Sequence, residues 1–539
     1  MGLVGAVDAP DLCVSASRHR AHPSSLGELV WVDHHDGEGS SGDGCNVGSA
    51  EYMIDIALRD GLVVNGTDDP PRLADVGISG GEIVAVGDVG AARRDVDASG
   101  LVVAPGFIDA HTHDDMQLRR DPFNREKLLQ GVTTVICGNC GFSAFPHRPG
   151  QQSPDLLSTD GPWESFNSYA ETLRTQGIGP NMATFVGHNT VSRHFDPQVD
   201  RRPDRRKRTQ IADRIRQAVD EGALGVSTGL IYEPGRSSVT EDLIEIATAA
   251  AQVGGLYCSH VRDEGAGLLD SIDEAITIAD AAGAGLQLSH LKTVGRENWG
   301  LVATALSKID EAHQRGLDIG FDVYPYTAGS GPFEQYFDPD DVDVARLDFV
   351  QIVHCPDFPH FEGLRVPAIA AAEGCEPADL ARRIIAGQRS TETVCVIFEI
   401  DEDEMRSVLS HPRAMIGSDG IPQDGGVPHP RLIGAFPRVV GQYGRDEGLF
   451  DLSATVQKMT SIPADRFALK SRGRVQPGCA ADITIFDHST INDRATYEER
   501  NPPEGIEWVL VNGEIAVTPS GLSGALAGQV LTRDRGTNS

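Results

Sequence analysis

The sequence predicts an α/β fold: a (β/α)8 TIM barrel with a small composite β-sandwich domain formed from N- and C-terminal segments. Three observations point there. Eight apolar, strand-like runs alternate with helix-period segments through the middle of the chain. Residues able to bind a metal or carry acid–base chemistry sit at the polar ends of those runs, where a barrel gathers its active site. Two blocks of short alternating strands bracket the middle, and neither has enough strands to bury a core alone.

Taken in order, residues 1–52 read as a flexible extension, because 36–49 is dense in Gly, Ser and Asp. His34 and His35 beside it read as solvated. Residues 53–104 form the first part of the sandwich, with strands at 54–58, 62–66, 74–78 and 82–86 separated by glycine turns. The barrel covers 105–470. Its runs end at His111-Thr112-His113, Cys140, His188, Ser227-Thr228, His260, His290, Tyr324 and Asp419. Helical periodicity fills 205–221, 241–253, 265–282 and 302–315. A long connection separates the last two runs. Its stretch from about 331 to 410 reads as a lid-like insertion with helices at 376–386 and 403–410. Residues 471–517 supply the rest of the sandwich, and 518–539, rich in Gly and Ser, reads as a loose tail.

Composition narrows the function classes. The formal net charge of −33 and pI near 4.8 argue against nucleic acid, whose phosphates need basic patches. Only six lysines occur, so arginine carries most positive charge, and an anionic substrate needs local cations against the global field. No apolar run is long enough to span a membrane, and the N-terminus lacks the basic-then-apolar order of a secretory signal. The nine cysteines are scattered and odd in number, which predicts a reducing, cytoplasmic setting. Cys137 and Cys140 are the only close pair, without the second pair of a zinc ribbon or a thioredoxin-like context.

The chemistry begins at His111-Thr112-His113. Side chains i and i+2 share a face of a strand, so both imidazoles point one way and make half of a divalent metal site. Cys140, His260 and His290 end other runs of the same barrel, and zinc takes thiolate and imidazole ligands. His188 ends a run too, but reads as a structural or hydrogen-bonding residue.

These blocks together resemble the N-acyl-D-amino-acid deacylases (D-aminoacylases) of the amidohydrolase superfamily. The resemblance is carried by Pro105-Gly106-Phe107-Ile108-Asp109-Ala110-His111-Thr112-His113, Gly138-Asn139-Cys140-Gly141-Phe142-Ser143, Val186-Gly187-His188-Asn189-Thr190, Ser259-His260-Val261-Arg262-Asp263-Glu264 and Ser289-His290-Leu291-Lys292. Tyr324-Pro325-Tyr326-Thr327-Ala328-Gly329-Ser330, Gly417-Ser418-Asp419-Gly420, Pro428-His429-Pro430-Arg431 and Phe436-Pro437-Arg438 extend it, so that it runs from about Ile54 to Ala516. It implies a tight zinc site at Cys140, His260 and His290. A weaker second site falls at His111 and His113, with the Cys140 thiolate able to bridge both. It implies Asp419 as the catalytic carboxylate, and Lys292, Tyr324, Ser330 and Arg431 as the groups that hold the substrate's carboxylate and scissile amide. The implied reaction is zinc-dependent hydrolysis of a small-molecule N-acyl-D-amino acid to a carboxylate and a free D-amino acid. The chemistry is coherent, because zinc acidifies water, a carboxylate shuttles its proton, and arginine clamps a carboxylate with two bonds.

Three departures fall near the lid and the substrate carboxylate. Ser330-Gly331 replaces the family's Ser-Thr, 332–348 is short, and a residue is added between Asp424 and Pro428. They bear on substrate identity, where acidic N-acyl-D-amino acids are the alternative, rather than on the metal chemistry. A cyclic-amide hydrolase, which often bridges two metals with a carboxylated lysine, is disfavoured because Ser227-Thr228-Gly229 stands at the fourth run's end. A non-catalytic barrel predicts lost ligands, and none is lost. A disulfide between Cys137 and Cys140 would remove a metal ligand.

Overall fold

A parallel strand is covered on both faces, so its sequence is apolar throughout instead of alternating. The runs in the middle of the chain become such strands. The computed structural model describes residues 53–147, 161–196, 202–423 and 425–534. The expected extension at 1–52, with His34 and His35, lies outside the described residues. Phe107–Asp109, Val132–Cys137 and Asn181–Thr184 pair in parallel. Val186–Gly187, Gly225–Gly229, Leu256–His260, Leu286–Leu288, Ile319–Val323 and Ala414–Ile416 form a second parallel sheet in that order. Only Phe185 separates Asn181–Thr184 from Val186–Gly187, and its N–H donates to Cys137 O at 3.0 Å. At the other limit, Ala110 N donates to Ile416 O at 3.1 Å, joining the ends of the first and last strands. Ile108, Ile136, Ala183, Phe185, Leu224, Leu256 and Met415 share one buried cluster.

Helices follow the strands as the periodicity predicts. Arg205–Glu221 buries Ile211, Ala212, Ile215, Ala218 and Val219 along one stripe. It starts where the Asp204 carboxylate accepts from Lys207 N and stops at Gly222, whose φ of 136° suits glycine.

The two bracketing blocks are hydrogen-bonded into one network of nine strands. Val102–Pro105 and Ile483–Phe486 join them as antiparallel neighbours, and Leu58, Val76, Ile83, Val103, Ile483, Ile485 and Leu510 pack in a common core. The residues after Val517, expected as a loose tail, are held as far as Asp534. Gly521–Leu522 pairs with Glu514–Thr518, Gly528 N donates to Ile178 O and Leu531 N to Met182 O, both at 2.7 Å. Composition there mimics a linker, but backbone pairing satisfies the segment.

The insertion has its own small antiparallel sheet of Gly329–Pro332, Val394–Ile397 and Val350–His354, with helices Val366–Glu373 and Pro377–Ile385 around a separate core. Its sheet runs from Gly329 to Ile397, against expected limits of about 331 and 410. Helix Glu402–Ser410 packs on Leu301–Gln314, Ile319–Val323 and Ala414–Ile416, so it belongs to the seventh β/α unit. Among the described residues no helix is long and apolar enough to cross a membrane.

Candidate metal centre and active site

The five expected metal ligands and the expected catalytic carboxylate, Asp419, converge at the C-terminal ends of the parallel strands. Cys140 Sγ lies 3.4 Å from His111 Nε2 and 3.5 Å from His290 Nε2. The His260 and His290 ring centroids are 4.4 Å apart. His111, His113 and Cys140 form one group with ligand atoms within 4.8 Å of one another, and Cys140, His260 and His290 form a second. Asp419 Oδ1 is 3.2 Å from His113 Nε2 and 3.5 Å from His111 Nε2, and Asp419 also groups with His111 and His290. Its other oxygen is 2.9 Å from Arg431 Nη1.

The backbone is bent to achieve this. Cys140, His290 and Asp419 have φ of 54°, 35° and 48°, values uncommon for residues with a side chain. The Gly-Asn-Cys-Gly loop shows why its glycines are needed. A Cβ on Gly138 would lie 2.2 Å from Phe185 O, and one on Gly141 2.7 Å from Gly229 N. Asn139 Nδ2 closes the loop on Ile136 O at 2.8 Å.

A second layer fixes these side chains. Asp322 Oδ1 is 3.1 Å from His111 Nδ1 and accepts from His290 N at 2.9 Å. Glu264 Oε1 is 3.0 Å from His290 Nδ1 and 2.5 Å from Lys292 Nζ. The fully buried Lys127 ammonium donates to Asp109 Oδ2 at 2.8 Å and Ser418 Oγ at 2.7 Å, with Asp114 at 3.3 Å. It thereby ties the loop bearing His111 and His113 to the loop bearing Asp419. Sequence reasoning missed Asp322, Glu264 and Lys127. Asp322 did leave a trace: it is an acid in an apolar strand, two residues before Tyr324 and on the same face.

The substrate-side residues are placed less simply. Tyr324 is buried, and its hydroxyl has no partner. The Arg431 guanidinium sits over its ring at 4.6 Å and donates Nη2 to Ser330 O at 3.1 Å. Lys292, expected on the substrate carboxylate, is engaged by Glu264 and lies 3.0 Å from His290 Nδ1. His188 is in none of the metal-capable groups; it lines a separate small cavity with Ser192 and Pro234. A cleft of about 340 Å³ opens beside Glu264, with Tyr336, Arg346 and Glu399 of the insertion on its far wall.

Electrostatics prepare the donors. Burial holds His113, His260 and His290 below the ordinary imidazole range, so their lone pairs are available. For His111 burial is outweighed by Asp322, which raises it. Burial pushes the Cys140 thiol well up, the effect a coordinated cation reverses. Burial would also raise Asp419, but Arg431 and the imidazoles hold it well below the usual carboxylate range. Both ring nitrogens of His260 and Nδ1 of His113 are buried without a partner. One thiol and four imidazoles, with unpartnered nitrogens among them, are a donor set that fits zinc.

Residues 94–517 match the Amidohydrolase family. The chain is 38% identical over 494 residues to a D-aminoacylase of Alcaligenes xylosoxydans xylosoxydans, covering 90% of this chain and 99% of that one. The crystal structure of N-acyl-D-glutamate deacylase from Bordetella bronchiseptica, complexed with zinc and a phosphonate inhibitor that mimics the tetrahedral intermediate, superposes with a TM-score of 0.84 at 36% identity. It covers 89% of this chain and 100% of its own. A D-aminoacylase structure, described by its binuclear metal centre with one-metal activation and second-metal attenuation, gives 0.83 at 37% identity over the same shares. The chain therefore belongs to the amidohydrolase family, among the N-acyl-D-amino-acid deacylases.

Proposed function

We propose that the protein is a zinc-dependent deacylase that hydrolyses the amide bond of small N-acyl-D-amino acids, giving a carboxylate and a free D-amino acid. One observation carries the reading: the Asp419 carboxylate faces a cluster of one thiol and four imidazoles at the ends of the parallel strands. Cys140, His260 and His290 would hold the tight zinc, and His111 and His113, with Cys140 bridging, a weaker second ion. A bound zinc supplies Lewis-acid polarisation of the amide carbonyl and acidification of water. Asp419 takes the proton of the attacking water and returns it to the departing nitrogen, which needs a carboxylate that is charged at neutral pH. The Tyr324 hydroxyl, neutral and unpartnered, donates to the oxygen on which charge develops. Arg431 clamps the substrate's carboxylate beside Ser330, and Lys292 adds positive charge while its contact with Glu264 steadies His290.

The same reading takes the two parallel sheets as one closed (β/α)8 barrel. The hydrogen bond from Ala110 to Ile416 and the continuity through Phe185 support it. It takes the nine-stranded network as a composite sandwich spanning 53–104 and 471–517, and a cytoplasmic setting, which the unpaired state of the seven described cysteines supports. The test is hydrolysis of N-acetyl-D-leucine, N-acetyl-D-methionine and N-acetyl-D-glutamate and their L forms, with and without chelator. Full activity after complete metal removal, or turnover of L forms only, rejects the proposal.

A further inference from the structure

The segment between Ile483–Phe486 and Ile506–Val511 leaves the terminal sheet and grips the helix Arg431–Arg438. Tyr326 Oη donates to Asp493 Oδ2 at 2.8 Å, and Arg438 Nη1 is 3.6 Å from that oxygen. The approach is close: a Cβ on Gly434 would lie 2.1 Å from Asp493 Oδ1, and one on Gly441 2.2 Å from Ile491 O. Beyond Asp493, the Tyr497 ring meets two others edge-on, His429 at 5.0 Å and Phe398 at 4.6 Å between centroids. The Tyr497 carbonyl accepts from Gln351 Nε2 of the insertion at 2.8 Å.

His429 is the link to the site. Its Nε2 is 3.0 Å from Ala328 O, which can only accept, and its Nδ1 is 3.0 Å from Arg431 N, which can only donate. The two partners set the tautomer, and burial keeps the ring uncharged. His429 thus holds together the chain segments that carry Ser330 and Arg431, and the Tyr497 ring has the shortest centroid distance of the tyrosines packed against it. The Tyr326 ring, 5.2 Å away, packs against it as well.

We infer that Tyr497 is a positioning residue for the substrate-carboxylate subsite. It acts through His429 on Arg431, so that the terminal sheet, the insertion and the clamp form one mechanical unit. The inference rests on the reading of Arg431 as the carboxylate clamp. Its chemistry is apolar: ring packing is what it supplies, and the phenol oxygen is not needed.

The experiment is steady-state hydrolysis of N-acetyl-D-leucine by zinc-loaded full-length enzyme, comparing wild type with Tyr497→Leu, Tyr497→Phe and Arg431→Lys, with zinc content measured for each. Tyr497→Leu is expected to raise KM up to about tenfold, the worth of an aromatic pair. Its kcat and zinc content should stay near wild type, and Tyr497→Phe should restore wild-type KM. An unchanged KM in Tyr497→Leu while Arg431→Lys raises it overturns the positioning role alone. An unchanged KM in Arg431→Lys removes the clamp and the inference together, whereas a wild type inactive on every N-acyl-D-amino acid rejects the deacylase reading itself. If Tyr497→Leu does not fold, Gln351→Ala, which frees only the Tyr497 carbonyl and a weaker contact to Gly363, takes its place. A KM indistinguishable from wild type in that variant overturns the inference.

Discussion

Asp419 is held charged by neighbours that outweigh its burial, and the mechanism asks that it gain and lose a proton in each cycle. Asp419→Asn keeps the shape and removes the carboxylate proposed to shuttle the proton. It is expected to lower kcat by about 10²- to 10⁴-fold with zinc retained, measured by initial rates and metal analysis on the same sample. Cys140→Ala should do the reverse, losing tight zinc on dialysis and activity with it, because a donor shared by both groups is gone. At this scale the sequence was readable where a residue ends an apolar run, as Cys140, His260 and His290 do. Asp322 and Glu264 were not, because nothing in local spacing says which carboxylate will back which imidazole. Lys292 was assigned to the substrate alone for the same reason, although Glu264 engages it.

Between elements, the fully buried Lys127 joins the loop after the first strand to the loop after the eighth. Lys127→Met strands two buried carboxylates, Asp109 and Asp114, without their cation. The expected cost is about 3–5 kcal/mol of stability, read as a lower thermal midpoint, with activity falling further because Ser418 anchors the turn of Asp419. Helix bounds were legible, since Arg205–Glu221 has both a periodic stripe and capping residues at its ends. The limits of the insertion were not. Helix Glu402–Ser410 is amphipathic whichever body it packs on, and only the contacts assign it to the parallel strands and their helices.

Over the whole molecule, stability is expected to depend on pH through two buried histidines outside the metal-capable groups. Burial pushes His147 and His188 from 6.5 down to about 4. The unfolded chain binds the extra protons first, so stability is full above about 6.5 and falls as pH drops towards 4, by up to roughly 3 kcal/mol for each histidine. Thermal melts across that window check it, and a flat profile would contradict the burial. Chelation should lower the midpoint as well and added zinc restore it, since a ligand of the folded state stabilises that state. The order of strands and helices and the apolar runs that end in donor side chains were written in the sequence, because hydrophobic period and glycine punctuation are local properties. The tertiary structure decided what depends on distance between remote segments: the carboxylates behind the imidazoles, the lysine lock, the anchored tail and the contact of Tyr497 with His429. A chain records which groups it has, but their charge states and partners follow only when burial and the fold bring them within a few ångströms of one another.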